Sequence, residues 1–148
     1  MNRWLTITPF MAIPVFIYLL IALFSSGSDA AGLPIIAGRL DAAIINMPMI
    51  SGIKWQFSVG DLIMLIGLVT LSIEIVKSTS TKSSAIANHA TSIGIMVLSL
   101  ILFLAVGSFS TSVFFFITMM AVLDVLAGVM VSIVAARRDF GVGDGFGG

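Results

Sequence analysis

Residues Val59–Ser78 read VGDLIMLIGLVTLSIEIVKS. A helix of that length rises about 30 Å, and about 20 mostly apolar residues are what a helix needs to cross the hydrocarbon of a bilayer. Asp61 and Lys77 fall in the two end turns, so the stretch reads as a membrane span with one internal carboxylate, Glu74. A carboxylate in a first turn is favoured by the helix dipole, which makes Asp61 a helix cap. Gly60, Gly67 and Glu74 recur every seven residues, marking one face where small residues allow close helix approach.

Working outward, three more stretches have the same character: Trp4–Ser25, Ser84–Val106 and Thr111–Ala136. The apolar core of the first exceeds the roughly 7–15 residues of a signal-peptide core, so it reads as a retained span. Pro9 and Pro14 should bend it unless neighbours take up the freed backbone groups. The expected fold is an all-α integral membrane four-helix bundle with a long extracytoplasmic first loop, residues 26–58. Residues 1–140 form a single transmembrane domain. The glycine-rich residues 141–148 follow no strand and open no helix, the context a phosphate loop requires, and read as a flexible tail.

Composition agrees. The 148-residue chain is 59% hydrophobic and only 9% charged, where a soluble domain carries about a quarter charged residues. Seven basic residues balance seven acidic ones, so no basic field exists to attract nucleic acid. The absence of cysteine removes disulfides, cysteine-based metal sites and thiol catalysis. One histidine without cysteine does not make a typical zinc site. No serine elbow or triad spacing accompanies the many hydroxyls. No enzyme, cofactor or metal is therefore expected.

Four spans put both termini on one side. Arg3, Lys77, Lys82, Arg137 and Arg138 lie on that side, against Arg39 and Lys54 on the other, which favours cytoplasmic termini. Within the first loop, Leu33-Pro34 opens a short helix whose face carries Ile36, Leu40, Ala43 and Ile44, suited to lie at the membrane interface or to cap the bundle. After Pro48, Ile53, Trp55, Phe57 and Val59 alternate with Lys54, Gln56 and Ser58, the period of a half-buried strand. Two readings stand: an extended segment with Trp55 as an anchor at headgroup level, or an edge that pairs with a partner chain.

Ionisable groups deep in a span cost at least ~2.5 kcal/mol each and call for a partner or a water-filled cavity. Asp124, midway along the fourth span, is the clearest. Asp124, Gly128 and Ser132 share one stripe that should face the bundle or another protein. Counting depth from the cytoplasmic ends brings Tyr18 and Ser99 near its level. Glu74 and His89 form a second layer, and the short connection between their helices suggests that they meet, with Lys77 snorkelling beside them. Such groups serve either as latches between helices or as a relay for protons.

Ser51-Gly52 with Trp55, Gly60-Asp61-Leu62, Glu74-Ile75-Val76-Lys77-Ser78-Thr79, Thr111-Ser112-Val113-Phe114-Phe115, Asp124-Val125-Leu126-Ala127-Gly128 and Arg137-Arg138-Asp139 together resemble a family of small proteobacterial four-span membrane proteins. The likeness covers roughly residues 51–139. It implies bacterial inner-membrane residence and supplies no activity. The sequence thus points to a non-enzymatic membrane protein, an accessory or scaffold subunit that packs against lipid and other chains or itself. The alternative is a small transporter or channel subunit handling protons or cations through Asp124, Glu74 and His89.

Overall fold

The computed structural model describes residues 9–25, 27, 28, 32, 34–78 and 84–141. Helix α1 is Ala12–Leu23 and a short helix α2 is Ile35–Leu40. Strands β1 (Ala43–Pro48) and β2 (Lys54–Ser58) follow, then helices α3 (Val59–Ser78), α4 (Ser84–Ala105) and α5 (Ser112–Gly141). A 3-10 turn, Gly107–Phe109, joins α4 to α5. Residues 79–83 of the polar connection and 142–148 of the tail lie outside the described residues.

Among the described residues, three helices are long and apolar enough to cross a membrane: Val59–Ser78, Asn88–Ala105 and Ser112–Val134. Their outward faces carry exposed Leu65, Leu68, Val69, Leu104 and Met130, the surface that hydrocarbon would solvate. Of the four expected spans, three are shown among the described residues, and the first is met there by a shorter apolar helix. Helix α1 has 12 residues, about 18 Å of rise, and residues 4–8 of the first stretch lie outside the described ones. Proline explains where α1 starts. Pro9 precedes the helix, and Pro14 sits in its first turn, where a missing N–H costs no intrahelical bond.

The all-α expectation is corrected, because β1 and β2 form an antiparallel hairpin. Met49 N–H bonds Ile53 O and Gly52 N–H bonds Met49 O, both at 2.9 Å. Gly52 takes φ +82°, the left-handed position of a three-residue hairpin loop. Ala43 and Ile44, expected on the α2 face, lie in β1 instead, while Ile36 and Leu40 are buried as that face requires. The strand at Trp55 pairs within the chain, with Met47 opposite Trp55 and Ile45 opposite Phe57.

Helix α5 packs along both α3 and α4, and α1 lies against α3 and α5. Near the hairpin end the core gathers Val15, Tyr18, Ile36, Leu40, Ile63, Phe109, Phe114 and Ile117. Met11, Leu71, Met120 and Ala121 form a second cluster toward the other end. A Cβ added at Gly60 would stand 2.8 Å from Val113 Cγ2 and 3.3 Å from Leu40 O; one at Gly67 would stand 2.8 Å from Met120 Sδ. The face marked by these two glycines is where α3 meets α5.

Candidate functional site

One turn before the end of α3, Glu74 is 1% exposed and gathers donors from three directions. Phe10 N–H donates to its Oε2 at 2.9 Å. That N–H is available because the first donors of a helix have no acceptor within it, and in an apolar medium each orphan costs several kcal/mol. A carboxylate at this point also meets the positive end of the α1 dipole.

The second oxygen of Glu74 accepts a short hydrogen bond from Asn88 Nδ2 on α4. Asn88 Oδ1 in turn accepts from Lys77 Nζ at 2.7 Å, and Lys77 Nζ stands 3.5 Å from Glu74 Oε1. The ammonium lies 4.8 Å from the centre of the Phe10 ring, close enough for a cation–π contact. Glu74, Asn88 and Lys77 therefore close a ring of polar contacts, with Phe10 holding α1 to it by both backbone and side chain.

Deeper along α5 lies Asp124, 4% exposed. Its carboxyl is hydrogen bonded to Ser92 on α4, within electrostatic reach of Glu74, His89 and Lys77. Among the described residues its Oδ2 has no hydrogen-bond partner. His89 packs on Gly128, where an added Cβ would stand 2.5 Å from Nδ1. Only a residue without a side chain admits the imidazole there.

Several expectations are corrected by this geometry. Glu74 bonds Asn88 rather than His89, which turns toward α5. Tyr18 does not share the level of Asp124. Its hydroxyl donates to Ser108 O at 3.0 Å and bonds Thr111 Oγ1 at 2.6 Å, roughly three and a half turns or about 20 Å of rise from Asp124. Because α1 starts at the depth of Glu74, Tyr18 reaches the opposite end of the bundle. Ser99 is fully buried without a hydrogen-bond partner among the described residues, and Ser92, two turns away on the same stripe, bonds Asp124 instead. The Asp124 stripe stops at Gly128, since Ser132 is exposed and donates to Gly128 O at 2.8 Å.

Asp61 caps α3. Its Oδ2 accepts from Ser58 N–H and Ser58 Oγ at 2.9 Å each, while Asp61 N–H donates to Ser58 Oγ at 3.2 Å, a reciprocal capping box. Trp55 lies on the hairpin, edge-on to Phe57 with ring centres 5.7 Å apart. Ser92 lies on the stripe of His89, Met96 and Ser99 that helical spacing marks in the sequence, while Asn88 and the Phe10 N–H are the participants that sequence reasoning missed. Asn88 was within reach of it, being next to His89 and four residues before Ser92.

The fold and this layer define a chain of long apolar helices joined at one end by buried polar contacts. Among the described residues no three His, Asp or Glu converge in a way that would hold a metal ion. No known protein family, curated protein or solved structure matches the chain.

Proposed function

We propose that the chain is a non-enzymatic packing subunit of a bacterial inner membrane, an accessory or scaffold element of a larger complex or of a homo-oligomer. In this reading four helices cross the membrane and both termini are cytoplasmic. The observation that carries it is the Glu74–Asn88–Lys77 ring. Charged groups that are costly in a membrane are here engaged with each other and with the start of α1, which ties three helices rather than leaving a reactive group open.

A second reading rests on one atom. Asp124 Oδ2, buried without a partner among the described residues and beside Ser92 and His89, is an acceptor that a proton or cation would occupy, as in a small transporter or channel subunit. Asp124→Asn retains hydrogen bonding and removes titration. Purification in mild detergent with mass determination, alongside ion flux in liposomes, tests both readings. A defined oligomer or fixed-stoichiometry complex that survives Asp124→Asn supports the packing subunit. Flux by the lone chain that disappears in Asp124→Asn overturns it in favour of the second reading.

A further inference from the structure

The β1–β2 hairpin is amphipathic to a degree that its sequence conceals. Residues directly opposite in an antiparallel pair share a face, and successive residues alternate. Ile45 faces Phe57, Met47 faces Trp55, and Met49 bonds Ile53 across the turn, so one face is built from six apolar side chains. The other face carries Asn46, Pro48, Lys54, Gln56 and Ser58, with Ala43 opposite Ser58 and Ile44 at the bulge beside it. Apart from Phe57 at the base, which is half-buried, nothing in the described chain covers the apolar face: Ile45, Met47, Met49, Ile53 and Trp55 are 39–71% exposed.

We propose that this face rests on the bilayer itself, with the hairpin lying in the headgroup layer as a paddle. Continuity places it there. β2 passes into α3 without an intervening residue, and the 20 residues of α3 rise about the full hydrocarbon thickness, so Ser58 emerges at the hydrocarbon edge. The capping box between Ser58 and Asp61 fixes that exit, and Val59 N–H to Ala42 O at 3.0 Å closes the base of the hairpin. Because the apolar side chains are not packed on the bundle, the paddle extends over lipid.

A second copy of the chain fits less well. Two strands of about six residues present a face of roughly 20 by 10 Å, on the order of 200 Å², well below the about 800 Å² per partner of a stable interface. A lipid surface imposes no such minimum. Trp55 belongs at headgroup level, and Lys54 on the opposite face points its ammonium toward water.

The test uses the full chain in phosphatidylcholine vesicles containing a minor share of phosphatidylglycerol. Trp4→Phe leaves Trp55 as the single tryptophan, and since the chain has no cysteine, single cysteines at 45, 46, 47, 53, 54 and 56 accept a fluorescent label without background. Expected are blue-shifted Trp55 emission, quenched by lipids brominated near the headgroup, and an alternating pattern in which labels at 45, 47 and 53 are quenched by brominated lipid while those at 46, 54 and 56 are quenched by aqueous iodide. Iodide quenching on both faces overturns the proposal. Protection of the apolar face from both quenchers overturns it too, assigning that face to a protein partner. Should labelled variants misfold, Trp55 emission and its quenching in the Trp4→Phe chain suffice to separate these outcomes.

Discussion

Replacing Glu74 by alanine removes at one stroke the acceptor used by Phe10 N–H, Asn88 Nδ2 and Lys77 Nζ. Hydrogen bonds between membrane helices average about 0.6 kcal/mol each, so the two that cross from Glu74 to Phe10 and Asn88 set a floor of about 1 kcal/mol. Breaking a buried ionic contact and stranding its partners costs about 3–5 kcal/mol. The upper part of that range is reduced here because Lys77 is 20% exposed and retains Asn88 Oδ1. Glu74→Ala should therefore destabilise the fold by about 1–4 kcal/mol. Glu74→Gln keeps the shape and the acceptor for Phe10 N–H, but its amide nitrogen meets the Asn88 Nδ2 donor, so it loses that bond as well as the 3.5 Å contact to Lys77; retaining one of the three contacts, it should cost less than alanine, about 1–2 kcal/mol. Reversible unfolding in mixed micelles, read by helix content and Trp fluorescence, measures both. Equal damage from the two substitutions, or an alanine variant within about 0.5 kcal/mol of the parent, would refute the latch. A Glu74/Asn88 double-mutant cycle should return a coupling energy of about 0.5 kcal/mol or more.

Gly128→Ala pushes a methyl into His89 and should cost about 1–3 kcal/mol in the same unfolding assay, with His89→Ala restoring much of the loss in the double variant. Gly60→Ala and Gly67→Ala form an informative pair, since the former meets Val113 and a backbone oxygen and the latter chiefly the flexible end of Met120. Thermal unfolding in detergent should rank Gly60→Ala as clearly the more damaging. Asp61→Ala removes the cap at the hairpin exit and should cost about 0.5–2 kcal/mol, with faster proteolysis between residues 43 and 58 as its local signature.

The three long helices were legible because hydrocarbon demands apolar runs that no other environment explains, and Asp61 was legible because its partner Ser58 is three residues away. Pairings across helices were not. Depth along a helix follows from counting, but the direction of a side chain around it depends on how neighbours pack. α5 packs against both α3 and α4; His89 therefore turns toward Gly128, and Asn88 is left facing Glu74. Tyr18 departs from expectation for a different reason: Phe10 stands at Glu74, so eight residues further on the Tyr18 hydroxyl reaches Ser108 and Thr111, about 20 Å of rise along α5 from Asp124. β2 shows its alternation, but Ile44 and Ile45 interrupt any alternation in β1, which reads as a continuation of the helical face of Ile36 and Leu40.

The placement of α5 bears on how the chain is made. Gly60, Gly67, His89 and Ser92 all find neighbours on α5, which leaves the ribosome after them. Until residues beyond 112 enter the membrane, these earlier segments have lipid where those contacts will be, and their polar groups wait in an incomplete site. Synthesis of α5 would thus be the event that commits the earlier insertions to a single arrangement.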